Sequence, residues 1–384
     1  MVRRIPDLMM TLFNVMRISF FTSFILTIVS CVNHQNENEK ISLFPKQEKV
    51  EVKYAQGFDV NYGDGFVQIV THSFGKNEAF SDTVFLQTKS EAKIASNSKI
   101  ISPEIKSLVC QSSTHLAYLD VLNAVDKVTA LCGIDYVQNE KINKQLDKNN
   151  TIELCLAERV EMEKLLEVNS DLFFTYPFGS EGNEKYSSKG IKTLHIAEYL
   201  EETQLARIEW IKLFGLILGK AKEANNYFDE IEKEYLALRQ TELDTNKKFI
   251  LNVPFEDNWF MPSANSLTVK IMEDAGMTYF YKETGATEND LHSKEEVWND
   301  AMFADYWIII ANRPTDFSLA DLISEEQVYA KFKSVIHQQV IFCNSATSDY
   351  FANGVVEPQI MLKDILFATH KLSEHQPKYF FLLR

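Results

Sequence analysis

Residues Ala206–Tyr235, ARIEWIKLFGLILGKAKEANNYFDEIEKEY, decide the architecture. They are the densest part of a region, Glu201–Gln240, that is almost wholly helical in pattern, with Gly219 dividing it. Before the glycine, Leu205, Ile208, Ile211, Phe214 and Leu218 form an apolar stripe within Thr203–Leu218. After it, Ala224, Tyr227, Phe228, Ile231 and Tyr235 recur at spacings of three and four within Ala221–Gln240, and no glycine or proline interrupts them. Twenty helical residues at ~1.5 Å each span roughly 30 Å, enough to cross from one domain to another.

On both sides of this region, short apolar runs alternate with helical patterns. Before it, strands are expected at Ile105–Cys110, Val128–Cys132, Asp171–Thr175 and Ile191–Ile196, with helices at Thr114–Ala124 and Glu161–Val168. After it come strands at Lys248–Val253, Thr278–Tyr281, Asp305–Ala311 and Gln339–Cys343. Helices fall at Ser266–Ala275 and Ser293–Ala301, and one at Pro358–Thr369 closes the chain. Such alternation implies parallel sheets covered by helices. The expected fold class is therefore α/β: two Rossmann-like lobes with parallel sheets, joined by a single long inter-lobe helix. Val50–Ser98 reads differently. EVKYAQGFDV, FVQIVTHSF and TVFLQT alternate polar and apolar residues around the turn Tyr62-Gly63-Asp64-Gly65, the signature of antiparallel strands in an N-terminal β extension.

The N-terminus carries an address. Phe20–Cys31, FFTSFILTIVSC, follows Arg17 and ends in a small residue and a cysteine, the ending of a bacterial lipoprotein signal with Cys31 as the lipidated residue. The run is shorter than the ~20 residues that span a bilayer, so it reads as a cleaved h-region. Met16 is an alternative start to Met1, because MRISFF is itself a basic n-region. Polar Val32–Lys46 reads as a tether. The expected organisation is a signal peptide at 1–30, a tether at 31–49, the β extension at 50–104, a first lobe at 105–200, a helical connector at 201–241 and a second lobe at 242–384. The chain is then lipid-anchored in the periplasm or cell envelope.

Composition narrows the partners. The net charge is −15; removal of residues 1–30 takes three arginines and one aspartate and leaves −17. Nucleic acid is excluded, because its affinity is carried by Lys and Arg. Outside the cytoplasm, Cys110, Cys132, Cys155 and Cys343 are able to pair. The strand-like SLVC and TALC favour buried thiols, and there is no CxxC. The eight histidines are scattered. Only His115, His195 and His292 fall near loops that follow strands, which implies no direct metal site.

The order and spacing of several segments resemble the class III periplasmic solute-binding proteins of ABC importers, those of vitamin B12, ferric siderophores or haem. The segments are SSTHLAYLDVL (Ser112–Leu122), MEKLLEVNSDLFF (Met162–Phe174), the Ala206–Tyr235 stretch, WFMPSANS (Trp259–Ser266), SKEEV (Ser293–Val297) and NGVVEPQIMLKDI (Asn353–Ile365). The resemblance covers nearly all of Ile105–Arg384; the β extension is additional. It implies a monomeric, non-catalytic protein that holds an iron chelate, haem or a corrinoid between its lobes and delivers it to a permease dimer in the inner membrane. It also implies one permease-docking glutamate on each lobe, which fall on Glu163 and Glu295. The residues support the second assignment: Ser293 and Glu296 have capping-box spacing, which occupies Glu296 and leaves Glu295 to project. Asn169-Ser170 stands where the family commonly has Lys-Pro.

Ligand contacts are expected from loops at the carboxyl ends of strands. On the first lobe these are Ser113 and Thr114, either of which caps a helix, and Tyr176 and Phe178. On the second they are Glu256, Trp259 and Phe260 of PFEDNWF, and Arg313, placed to meet an anionic group. Aromatic faces with few charges suit a corrin, a porphyrin or a catecholate chelate. Trp210, Trp298 and Trp307 lie inside helix or strand patterns and read as core. The rival readings are a tetrapyrrole enzyme such as a chelatase, and a surface lipoprotein that holds a ligand without a permease. No GxxxxGK[ST], GxSxG or HExxH motif and no evident Ser–His–Asp set supports an enzyme.

Overall fold

The structure, a computed structural model, describes residues 48–73, 80–157, 159–177, 184–242, 244–281 and 290–384. Cys31 and Phe178 lie outside them. The extension supplies β1 (Phe58–Gly63), β2 (Phe66–His72) and β3 (Ser81–Gln87), which are antiparallel, and β4 (Lys99–Ile101), which joins β3 in parallel. The β1–β2 turn needs a left-handed residue, and Gly65 provides it at φ +83°. Alternation decides the faces: Val67, Ile69 and Thr71 of β2 and Asp82, Val84 and Leu86 of β3 are buried.

The first lobe follows as β5 (Leu108–Cys110), α1 (Thr114–Val121), β6 (Val128–Leu131), α2 (Glu140–Lys148) and β7 (Ile152–Glu153). A short ribbon of β8 (Cys155–Leu156) and β9 (Arg159–Val160) leads to α3 (Met162–Val168), β10 (Leu172–Thr175) and β11 (Thr193–His195). The sheet is parallel in the order β11-β10-β5-β6-β7. The extension is bonded to its edge: Asp82 accepts the His195 N–H at 3.3 Å, and Lys99, paired with Asp82, donates to the Thr193 carbonyl at 2.9 Å.

One expectation fails here. Cys132 and Cys155 are joined in a disulfide, while Cys110 and Cys343 are buried free thiols. The parallel pairing of β6 with β7 brings Cys132, just past β6, beside Cys155, which opens β8, with the two Cα atoms 4.9 Å apart. Sequence spacing carries no trace of that register.

Two helices connect the lobes: α4 (Gln204–Ile217) and α5 (Ala221–Leu238). Every residue of α4 except Arg207 is buried. Its neighbour α5 is amphipathic, burying Ala221, Ala224, Phe228, Ile231 and Tyr235. The two pack closely at Gly215, where a Cβ would stand 2.4 Å from that of Ala224. Lys220, just before α5, donates to the Leu122 carbonyl of the first lobe at 2.5 Å.

The second lobe comprises β12 (Lys248–Leu251), β13 (Asn258–Met261), α6 (Leu267–Asp274), β14 (Thr278–Tyr279), β15 (Asp290–Ser293), α7 (Lys294–Ala301), β16 (Tyr306–Ala311), β17 (Val340–Asn344), α8 (Pro358–Ala368) and β18 (Phe381–Leu382). Gln240, just beyond α5, donates to the Asp274 carbonyl at the end of α6, so α5 spans both lobes. The sheet order is β14-β12-β16-β17-β18. It is parallel except for β18, which returns antiparallel to β17. The helix expected to close the chain therefore does not. Buried Asp364 on α8 accepts the N–H groups of Lys378, Tyr379 and Phe380 and folds the tail back into the sheet.

The chain leading into the extension is strapped across the connector. Fully buried Glu209 of α4 accepts the N–H groups of Lys53, Tyr54 and Ala55 at 2.6–3.0 Å. Buried Glu201 accepts those of Gln56 and Gly57 and the Trp210 indole N–H. Lys212 completes the cluster. It bonds Glu209 at 2.7 Å and the Glu51 carbonyl at 2.8 Å, and lies 4.0 Å over the Phe228 ring. Removing one partner from such a set strands a buried lysine and three backbone donors. Glu209→Ala is therefore expected to cost about 3–5 kcal/mol of unfolding free energy, measured by urea denaturation. A loss below about 1 kcal/mol would contradict the strap's role.

Candidate functional site

Carboxyl ends of strands and the first turn of α4 converge between the lobes. From the first lobe, the loop after β5 brings Ser112 and Thr114. The cap differs from expectation: Ser113 makes no side-chain cap bond, and the Ser112 hydroxyl instead accepts the Thr114 N–H at 3.1 Å. After β10, Tyr176 hydrogen-bonds with the Ser112 and Thr114 hydroxyls, and its ring meets that of Tyr199 edge-on. Beyond β11, a 3₁₀ turn, Glu198–Leu200, brings Glu198, whose Oε1 accepts the Thr114 hydroxyl at 3.0 Å.

The connector contributes Arg207, the partly exposed exception on α4. Its Nη2 is 3.9 Å from Glu198 Oε1, and its charge also acts on Tyr118 and Tyr176 of the first lobe and on Tyr350 of the second. Tyr350 hydrogen-bonds with Thr268 on α6. Gln204 donates to the Leu267 carbonyl at 3.1 Å. At the lobe boundary the Gln138 side chain donates to the Ser345 carbonyl at 3.0 Å and accepts the Asp349 N–H at 3.3 Å.

Several polar atoms in this zone are enclosed without a hydrogen-bond partner among the described residues: Glu198 Oε2, Arg207 Nε, Gln204 Oε1 and both ring nitrogens of His115. Natural proteins satisfy nearly all buried polar groups, so such a gathering is a candidate place for a ligand or ordered water. His115 packs against the rings of Phe174, Tyr176 and Phe214. Burial lowers its pKa to about 3, which keeps it neutral. Burial also raises the Glu198 carboxyl above its ordinary range, against the opposing pull of Arg207 and Thr114.

The remaining sequence-assigned residues divide. Glu256, at φ +57°, and Phe260 are exposed on the second lobe. Trp259 is a correction. Pairing of β13 with β15 turns it inward, where it is fully buried beside Trp307 and donates to the Leu251 carbonyl at 2.8 Å. Arg313 is committed to its own lobe. It lies against Glu325 with Nε 3.1 Å from Oε1, donates to the Asn312 carbonyl and covers the Phe317 ring. Trp210 and Trp307 are core residues, as read from their patterns, and Trp298 is half-buried. Sequence reading passed over Glu198, Tyr199, Gln204, Arg207 and Tyr350. One signal pointed to α4: charged residues recur inside its apolar stripe.

Glu163 and Glu295 occupy matching places. Each is the exposed second residue of a helix, α3 or α7, entered from a two-stranded antiparallel ribbon, β8–β9 or β13–β15. The expected capping box is present: the Glu296 carboxylate accepts the Ser293 N–H and the Ser293 hydroxyl accepts the Glu296 N–H. Among the described residues, no three His, Cys, Asp or Glu side chains gather to hold a metal, and no helix is long and apolar enough to cross a membrane.

Known proteins resemble the chain in sequence or in fold. An uncharacterized lipoprotein of Methanocaldococcus jannaschii is 26% identical to the chain, over 92% of the chain and 90% of its own length. A periplasmic binding protein from Veillonella parvula superposes with a TM-score of 0.59 at 15% identity, covering 80% of this chain and 99% of that one. A periplasmic haem-binding protein of Vibrio cholerae does so with a TM-score of 0.53 at 12% identity, covering 67% and 97%. At such identities the likeness shows the two-lobed fold. The sequence profile of the family described as periplasmic binding protein matches residues 110–347, and the chain belongs to that family.

Proposed function

We propose that this protein is the lipid-anchored substrate-binding component of an ABC importer. It captures an iron chelate, haem or a corrinoid between its lobes and hands it to a permease dimer. The observation that carries this reading is the set of enclosed polar atoms around Glu198 and Arg207 that lack a hydrogen-bond partner among the described residues, contributed by the first lobe and the connector, with Tyr350 of the second lobe near enough to feel the Arg207 charge. A site shared in this way is completed by a ligand that touches both lobes. Tyr176 and Tyr199 offer aromatic surface beside these polar atoms, which suits a flat, largely apolar ligand with a few polar groups. Membership of the binding-protein family and the likeness in fold to the haem-binding protein of Vibrio cholerae support the ligand class. Lipidation at Cys31 gives the envelope location. The protein works as a monomer and performs no chemistry on its cargo.

The visible spectrum of the chain purified from its native source tests the ligand class. A haem, corrinoid or ferric-chelate absorption band is expected. A colourless protein that takes up none of haemin, ferric tris-catecholate or cyanocobalamin would refute it.

Docking falls to Glu163 and Glu295. Exposed carboxylates at matching helix starts on separate lobes engage two basic pockets at once. Each charge-assisted contact, once desolvated, contributes roughly 1.5–3 kcal/mol. Glu163→Ala or Glu295→Ala is expected to weaken docking about ten- to a hundredfold and the double change to abolish uptake, with ligand affinity intact. Glu296→Ala, the control, costs helix stability and not docking. Normal uptake by the double variant, or lost ligand affinity in its folded form, would contradict the assignment.

A further inference from the structure

Glu198 and Arg207 face each other without completing a bond. The carboxylate is fully enclosed; one oxygen is taken by Thr114 and the other has no hydrogen-bond partner among the described residues. The guanidinium stands 3.9 Å away, beyond hydrogen-bond reach, and its enclosed Nε has no partner either. Both groups bear the desolvation cost of a buried ion pair, and neither gains its full hydrogen bonding. A third group fits this arrangement: one that accepts from Arg207 Nε and lies against Glu198 Oε2. An oxyanion is the natural partner of a guanidinium. It is repelled by an ionised Glu198 and bonded by a protonated one.

On the reading of the cleft as the ligand site, we propose that an anionic oxygen of the ligand, carboxylate or catecholate, takes over Arg207 while Glu198 takes up one proton from solvent and donates it as a hydrogen bond. Arg207 serves as the anion receptor. Glu198 is a replaceable counter-ion that holds the arginine in place when the cleft is empty. The histidine and the tyrosines around the pair do not titrate near neutrality. Tyr118 of α1, Tyr176 after β10, Tyr199 of the same turn and Tyr350 across the cleft all have hydroxyls raised by burial, and His115 is held neutral. Thr114, which faces Glu198 from α1, is uncharged, and Glu201, which acts on Tyr118, is bonded into the strap. Burial has already raised Glu198 against the pull of Arg207, Thr114 and the backbone of its own turn, and an incoming anion pushes it in the same direction.

The test is titration calorimetry of the soluble chain with haemin, ferric tris-catecholate and cyanocobalamin, in buffers of different ionisation enthalpy. At least one of the two anionic probes is expected to bind with uptake of close to one proton. Its affinity should rise by up to about tenfold per unit fall in pH, between the pKa of Glu198 in the empty and in the loaded protein. Which anion binds distinguishes carboxylate from catecholate. Arg207→Gln should weaken that probe about ten- to a hundredfold. Glu198→Gln, a permanently neutral counterpart, should abolish the proton uptake and bind tighter than the wild type at alkaline pH. If Arg207→Gln does not fold, the proton count of Glu198→Gln decides. An anionic probe bound without proton uptake, or unaffected by Arg207→Gln, overturns the proposal. Binding of cyanocobalamin alone keeps the cleft reading and overturns the ion exchange. Binding of none overturns both.

Discussion

A helix buried on every side has to account for each charge it carries, and α4 carries two that are enclosed. Glu209 and Lys212 sit among Leu205, Ile208, Ile211 and Phe214. Left alone, either would cost several kcal/mol of desolvation. The strap resolves this. Backbone donors of Lys53, Tyr54 and Ala55 meet Glu209, and the Glu51 carbonyl meets Lys212. The extension is thus the partner that lets the connector be buried. In return the connector fixes where the extension begins, so its sheet meets the edge of the first lobe at β11. Residues Lys46–Arg384 accordingly form one compact unit.

That constraint reaches the cleft. Between Gln204 and Leu238 the connector offers no proline; Gly215 lies in the close crossing of α4 and α5, and Gly219, exposed at φ +68°, makes the turn between them, so that α5 itself runs without glycine. Lys220 is bonded to the first lobe and Gln240 to the second. A lobe rotation would have to break these contacts together, which opposes a change in the width of the cleft. Its floor is the first turn of α4, the one turn of that helix that presents a side chain outward. The same helix therefore supplies the rigidity and the arginine, which favours a preformed site over one assembled by closure.

What was legible in the sequence follows from what is local. Strict alternation located β2 and β3, the stripe at Ala224, Phe228 and Ile231 located α5, and Ser293 with Glu296 located the start of α7. Each of these signals lies within one element. What was illegible depends on partners distant in the chain. Trp259 belongs to a segment that resembles a loop, and only its pairing with His292 turns it into the core. Cys132 meets Cys155 through strand register, and Arg313 meets Glu325 across a loop and the short helix Leu319–Glu325. Glu198 falls between an expected strand and an expected helix, and Arg207 is one charge within a helical pattern; their enclosure is a property of the assembled lobes. The fold was therefore readable from periodicity, and the candidate site only in part.

Small-angle X-ray scattering of the soluble chain, empty and loaded with whichever probe it binds, tests the central claim that the connector holds the cleft at a fixed width. The account predicts radii of gyration that agree within error. A contraction on loading comparable to that of hinge-closing binding proteins would contradict it.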